Sequence, residues 1–383
     1  MGTTGHRDGR SDAVARQDGP VDERMRPTDR LPGPRPRDEL AAWSTAPLDE
    51  GPLPVIPSLA DPSPAGWWET VCGQGIFLRR VARTAGPDGP TVWCIHGLAG
   101  SSTNWNRLSG ALSDVASCVS VDLPGHGWSD PAPGGRYDLP TQAGLLGRLI
   151  DQVEGRQIHL VGNSYGGVIA TLLAARRPDL VLTLTLISPA VPDLRLVGER
   201  GADPRVGLLL LPGTAGPATR QLAAVPSAAR ARGLAELCFG RPERVDAAAL
   251  YAAEREVSDR HRLPWVHASA IGAARALMSS YLRPGRAAFR AMAARVTVPT
   301  LIVWGTRDRL VDARLARPTA ASFADARLLM IAGSGHVAQM EDPGPTARAV
   351  RVLLRSRSVD GVDGAAPGVP WGTPVGAVAG SQS

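Results

Sequence analysis

Short apolar runs recur through the middle of the chain, each closed by glycine, proline or a polar turn: residues 91–95, 116–121, 160–162, 182–187, 299–304 and 327–332. Runs of this length, bounded by turn residues, predict buried strands. Residues 76–83 read as an edge strand or hairpin. Between these runs the period changes. Residues 104–112 read as a helix, and residues 139–153 carry Ala143, Leu146 and Ile150 at the i, i+3, i+4 spacing that builds one buried helical face. A third helix starts at Ser164 and runs to Arg177. Strands alternating with helices predict a mostly parallel, doubly wound α/β sheet, whose ligands lie outside the carboxyl ends of the strands.

The alternation stops over residues 191–295, which are rich in helical Ala, Leu and Arg and are broken at Pro212, Pro217, Pro226, Pro242, Pro264 and Pro284. A helical insertion is expected there, between the sixth and seventh strands. Its apolar residues, including residues 208–211, Phe239, Trp265, Met278 and Tyr281, either line a substrate pocket or form the insertion's own core. The ends differ from both. Residues 1–64 mix Arg, Asp, Gly and Pro, and residues 358–383 are rich in Gly, Pro, Val and Ala. They are expected to be a disordered or loosely packed amino-terminal tail, part of which (residues 52–68) lies across the domain, and a flexible carboxyl tail. The expected division is therefore 1–64, a first core part 65–190, the insertion 191–295, a second core part 296–357, and 358–383.

Chemistry concentrates where the predicted strands end. In Leu160-Val161-Gly162-Asn163-Ser164-Tyr165-Gly166-Gly167 an apolar strand turns straight into a helix around a serine flanked by glycines. Such a turn forces the serine into a strained backbone conformation with its hydroxyl exposed, which defines a nucleophile elbow. The run at 91–95 leads into His96-Gly97-Leu98-Ala99-Gly100, the run at 299–304 into Gly305-Thr306-Arg307-Asp308, and the run at 327–332 into Gly333-Ser334-Gly335-His336. A serine hydroxyl needs a base within reach to take its proton during attack, for which His336 is the candidate. An imidazole needs a carboxylate to fix its tautomer, for which Asp308 is the candidate.

The chain order Ser164, Asp308, His336, with four separated motifs in register over about residues 76–355, resembles the α/β-hydrolase superfamily. A fifth segment, Asp122-Leu123-Pro124-Gly125-His126-Gly127-Trp128-Ser129, is similar to a turn of the same superfamily. The resemblance implies an oxyanion hole formed by the backbone N–H groups of Leu98 and Tyr165, and a helical cap formed by residues 191–295. It also implies a carboxylesterase or lipase-like hydrolase that forms an acyl-enzyme on a small-molecule ester with an apolar acyl group. Carbon–carbon bond hydrolases of ring-cleavage products and cofactor-free haloperoxidase-like enzymes share the scaffold. The former commonly carry Trp after the catalytic histidine, where this chain has Val337. The elbow serine argues against dehalogenases and epoxide hydrolases, which use aspartate there.

Rivals to these residues are weaker on context. His96 is read as a brace of its loop, His126 as a loop residue and His159 as a packed strand residue, while His6, His261 and His267 lack a partner motif. Asp193, after the preceding strand, and Asp312 compete with Asp308, and Asp122 is assigned no catalytic role.

Composition narrows the partners. All 42 basic residues are arginine, scattered rather than clustered, so the net charge of +6 reads as a solvated surface and not as a nucleic-acid site. Without lysine there is no phosphate-binding Walker loop, and no G-x-G-x-x-G follows a strand, so no cofactor is expected. Cys72, Cys94, Cys118 and Cys238 show neither metal-ligand nor disulfide spacing, and no metal site is expected. No stretch has the apolar length of a membrane helix and no signal pattern opens the chain, so a cytoplasmic protein is expected. Nothing in the pattern points to an oligomeric state.

Overall fold

The computed structural model describes Gly2 and residues 37–193, 211, 213–282, 287–357 and 370–375. The chain divides into Met1–Arg35 and Pro36–Ser383, and every element below belongs to the second unit. Among the described residues, eight strands form one sheet: β1 (Gly66–Val71), β2 (Gln74–Val81), β3 (Thr91–Ile95), β4 (Ser117–Val121), β5 (Ile158–Asn163), β6 (Val181–Ile187), β7 (Thr300–Gly305) and β8 (Ala326–Ile331). Their order is β1-β2-β4-β3-β5-β6-β7-β8. Strands β3 to β8 are parallel, and β2 runs antiparallel to both β1 and β4. The segment expected as an edge strand or hairpin is the second arm of a hairpin. Its turn is Cys72-Gly73, with φ of 52° and 74°, the positive values that two-residue hairpin turns use.

Helices cross between the strands. They are α1 (Arg37–Ala41), α2 (Asn106–Ala111), α3 (Leu139–Glu154) and α4 (Ser164–Arg176), then α5 (Ala215–Ala223), α6 (Ser227–Cys238), α7 (Ala247–His261), α8 (Val266–Leu282) and α9 (Ala287–Ala293) between β6 and β7. After the insertion come α10 (Ala316–Ala320), α11 (Ala338–Glu341) and α12 (Pro343–Arg355). Helix α3 shows how local sequence sets an element. The Asp138 side chain accepts from Thr141 N–H at 3.0 Å at its start, and Gly155, at φ 60°, closes its end.

Residues alternate between two cores along each parallel strand, because successive side chains leave opposite faces of the sheet. Trp93, Ile95, Leu160, Ile302 and Trp304 pack with α3 and α4 through Leu146, Leu149, Ile169 and Leu173. Val92, Cys94, Val161, Leu301 and Val303 pack on the other face with Leu108, Val350 and Leu353 of α2 and α12. The register aligns the strand ends: Ile95 pairs with Val121 and with Gly162, Asn163 with Ile187, and Gly305 with Ile331. Every motif loop leaves the sheet at that one edge.

The terminal segments differ from expectation where they are described. The N–H groups of Thr45 and Ala46 both donate to Leu328 O, at 2.7 and 3.0 Å, and Met330 N–H donates to Ser44 Oγ at 2.9 Å, so residues 44–46 cover the open edge of β8. Leu40 is buried in the core. Asp49 pairs with Arg351 and Arg355, at 2.8 and 3.0 Å. At the other end Val375 is buried, and Arg327 of β8 donates to Trp371 O at 3.0 Å while lying over the Trp371 ring. Residues 44–46 thus pack on the sheet edge, residues 49–57 on α2 and α12, and residues 371–375 beside β8, rather than forming loose tails. Unpaired strand edges need cover, and backbone from outside the alternating region supplies it.

Within the helical insertion, residues 208–210 lie outside the described residues and Leu211 is exposed. Phe239 is buried against Val337 and Ala235, and the Tyr281 hydroxyl donates to Ala190 O at 2.9 Å. No helix among the described residues is long and apolar enough to cross a membrane.

Candidate active site

The sequence places Ser164 where β5 becomes α4, and its backbone has φ 53°, a left-handed value that a serine holds only when its surroundings impose it. The flanking glycines follow from close approach. A methyl group on Gly162 would lie 2.6 Å from Gly166 O, and one on Gly166 would strike the carbonyl oxygens of Ile95 and His96. The elbow therefore presses against the end of β3. Gly97 stands beside the serine, since a Cβ there would be 3.2 Å from Ser164 Cβ. This puts the Leu98 turn next to the serine. Tyr165 is buried, its hydroxyl donating to Tyr137 O at 3.0 Å, and its N–H is among the first of α4, which have no partner inside the helix.

His336 and Asp308 meet at the ends of β8 and β7. The His336 Nδ1–H donates to Asp308 Oδ2 at 2.9 Å, and both side chains are almost fully buried. The other carboxylate oxygen, Oδ1, accepts from the N–H groups of Leu310 and Val311 at 2.9 and 3.0 Å. The two loops are zipped together, with Arg307 N–H donating to Ser334 O at 2.8 Å and Gly333 N–H to Thr306 Oγ1 at 2.9 Å. Helix α6 ends against the histidine, where His336 N–H donates to Cys238 O at 2.7 Å.

Asn163, not singled out from the sequence, ties the two halves together. Its buried Nδ2 donates to Ile187 O at 2.9 Å and to His336 O at 3.0 Å, so the residue before the serine holds the backbone of the histidine. A buried amide at the end of an apolar strand was the available signal.

The rival residues lie elsewhere in the network. His96 Nδ1–H donates to Gly97 O at 2.7 Å, and its Nε2 accepts from Leu123 N–H at 3.0 Å. It therefore braces the turn as a neutral ring, which burial favours by lowering its pKa to about 4. His126 is buried with Nδ1 against Pro124 O at 3.0 Å, and His159 Nδ1 meets Thr183 Oγ1 at 2.8 Å. Asp193 pairs with Arg314, as does Asp312. Asp122, fully buried, accepts from Ser102 N–H at 2.6 Å and Trp128 N–H at 2.9 Å, fastening the two turns that follow β3 and β4. Among the described residues no group of three or more His, Cys, Asp or Glu is placed to hold a metal.

A serine on a strained elbow, a histidine held by a buried carboxylate and a glycine-rich turn beside them, all at the carboxyl edge of an eight-stranded sheet, define the class of protein as an α/β-fold hydrolase. The model of the alpha/beta hydrolase fold family matches residues 90–343, and the chain belongs to that family. It is 34% identical over 152 residues to the dihydrolipoyllysine-residue acetyltransferase component of the acetoin cleaving system of Cupriavidus necator, a match covering 40% of this chain and 37% of that protein. Over 282 residues it is 24% identical to a monoacylglycerol lipase of Xenopus laevis, covering 70% of this chain and 75% of the relative. Among solved structures it is similar to a membrane phospholipase A described as a bacterial virulence factor, with 26% identity and a TM-score of 0.59, covering 78% of this chain and 87% of the other.

Proposed function

We propose that the protein is a serine hydrolase that cleaves a carboxylic ester through an acyl-enzyme, with Ser164 as nucleophile, His336 as general base and Asp308 as its orienting acid. The observation that carries this reading is the buried 2.9 Å contact from His336 Nδ1–H to Asp308 Oδ2 beside a serine held at φ 53°. The carboxylate fixes the imidazole with its proton on Nδ1, which leaves the Nε2 lone pair to take the serine proton. Ser164 Oγ attacks the ester carbonyl carbon as that proton moves to His336. The negative charge that gathers on the carbonyl oxygen is met by the N–H groups of Leu98 and Tyr165. Collapse of the tetrahedral intermediate breaks the carbon–oxygen bond, and His336 returns the proton to the departing alcohol. A water molecule then repeats the sequence on the acyl-enzyme, releasing the carboxylic acid and restoring the serine.

In this reading residues 65–190 and 296–357 form the catalytic core, residues 191–295 form a cap, and helices α5 to α9 roof the site. The burial of Phe239 against Val337, the residue after the histidine, supports an apolar lining for the acyl group. Lipase names among the relatives agree with an ester substrate. Four unpaired thiols agree with a cytoplasmic setting, where disulfides are rare. Val337 stands against the carbon–carbon hydrolase alternative.

The test is a panel of p-nitrophenyl esters of increasing acyl length, run beside lactones, amides and a vinylogous diketone. Each added methylene adds up to about 0.8 kcal/mol of binding until the pocket is full, so kcat/KM rises several-fold from acetate towards medium chains and then falls. Cleavage of the diketone with no cleavage of short esters would replace the ester reading by the carbon–carbon one.

A further inference from the structure

The turn that carries Leu98 is under strain and is clamped from two directions. Ala99 has φ 59°, a left-handed value that alanine does not adopt unaided. Gly100 N–H closes the turn on Gly97 O at 3.0 Å. From the sheet side Asp122 holds Ser102 N–H. From the opposite side comes α7, one of the helices between β6 and β7. Oε1 of its Glu256 accepts from the Ser101 and Thr103 hydroxyls, each at 2.7 Å. Arg260, one turn later on the same helix, lies 3.2 Å from Glu256 Oε1 and reaches towards Gly100 O at 3.5 Å.

We propose that Glu256 is a positioning residue for ester cleavage, holding residues 97–103 in the shape that aims the Leu98 N–H at the developing oxyanion. The inference rests on the serine-hydrolase reading above and adds to it that the helices after β6 set the geometry of the oxyanion hole. A carboxylate suits the task because one of its oxygens takes both hydroxyl protons and the guanidinium together, which a neutral group meets less well. Burial by itself would raise the Glu256 pKa. Arg260 and the two hydroxyls outweigh it and hold the group below the usual range, so it stays ionised between them. The strained turn then has no slack. Loosening Glu256 lets Ala99 relax, and the donor beside Ser164 swings away from the place where charge forms.

The experiment measures kcat, KM and the rate of labelling by a fluorophosphonate probe for Glu256→Ala, Glu256→Gln and the pair Ser101→Ala with Thr103→Val, using p-nitrophenyl butyrate as substrate and a thermal melt as folding control. Outright loss of an oxyanion donor costs about 10²–10³ in kcat, so a misaimed one is expected to cost about ten- to a hundred-fold in Glu256→Ala. KM should stay within about three-fold and labelling should slow by the factor seen in kcat. Glu256→Gln is expected to recover part of the rate, because its amide oxygen still accepts. Should Glu256→Ala fail to fold, the hydroxyl pair carries the same expectation without removing the half-buried carboxylate. A folded variant with kcat within about two-fold of the parent, or one in which only KM rises, overturns the proposal. Hydrolysis that survives Ser164→Ala overturns the serine-hydrolase reading and this inference with it. Hydrolysis lost in Ser164→Ala and intact in Glu256→Ala overturns this inference alone.

Discussion

Replacing Asp308 by asparagine changes one atom's chemistry and leaves shape untouched, and the structure states which way the new amide must face. Oδ1 of Asp308 accepts two backbone N–H groups, from Leu310 and Val311, while Oδ2 receives His336 Nδ1–H. In Asp308→Asn the amide oxygen keeps the two backbone donors, which turns the NH2 towards His336. Facing a donor, the imidazole moves its own proton to Nε2, the atom that takes the Ser164 proton in the proposed reaction. Reversing the amide would strand two buried N–H groups at about 1–3 kcal/mol each, about 2–6 kcal/mol in all. That leaves between about one molecule in thirty and about one in twenty-five thousand with the working tautomer, at tenfold per 1.36 kcal/mol. Loss of the negative charge opposite the imidazolium lowers the rate further. We therefore expect kcat for p-nitrophenyl butyrate to fall by about 10³–10⁴ with the melting temperature little changed. Asp312→Asn and Asp193→Asn should stay within a few-fold, because both carboxylates face Arg314. A loss below ten-fold in Asp308→Asn, or a larger loss at either of the other two, would refute the assignment.

Two further predictions concern the folded body. Leu40→Ala should cost about 2 kcal/mol or more, read as a lower urea midpoint, because the leucine is buried although it lies far outside the alternating region. Deleting Met1 to Glu50 should cost more again, since it also uncovers the edge of β8 and unpairs Arg355 from Asp49; an unchanged midpoint in both would show that this segment does not belong to the folded unit. The second prediction is a pH dependence. Burial lowers the pKa of His96 and His159 to about 4 and that of His126 to about 3, from 6.5. The unfolded chain therefore takes up protons below about pH 6.5 that the folded chain refuses until about pH 4 or lower. Stability is full above that window and falls as acid is added through it. Melting curves from pH 7.5 to 4.5 measure this, and a flat profile would contradict the neutral, bracing role of His96.

Much of this was legible in the sequence because the physics involved is local. The parallel strands β3, β4, β6, β7 and β8 fall within a residue or two of their apolar runs, since a strand buried on both faces leaves a continuous apolar signature. Gly162 and Gly166 announced the elbow because a Cβ at either position collides with backbone. What stayed hidden depends on long-range partners. Residues 44–46 hold β8 mainly through backbone N–H and Ser44, which leave no periodicity to read. Strand β1 exposes alternate side chains at the sheet edge, and its Gly66-Trp67-Trp68-Glu69 start resembles a loop as much as a strand. Asn163 and Glu256 are single polar residues whose meaning comes from partners that lie 24, 153, 155 and 173 positions away. The insertion hides for the same reason, since Ala- and Arg-rich helices carry little information about which face meets the core.

The proposed reaction stands on Ser164 Oγ as the nucleophile of ester cleavage. Its most direct test is covalent labelling by a fluorophosphonate, compared between the parent protein and Ser164→Ala, with the labelled peptide identified by mass spectrometry. A single labelled peptide containing Ser164 is expected in the parent, with loss of both label and p-nitrophenyl butyrate hydrolysis in the variant. Label on another residue, or hydrolysis that persists in Ser164→Ala, would contradict it.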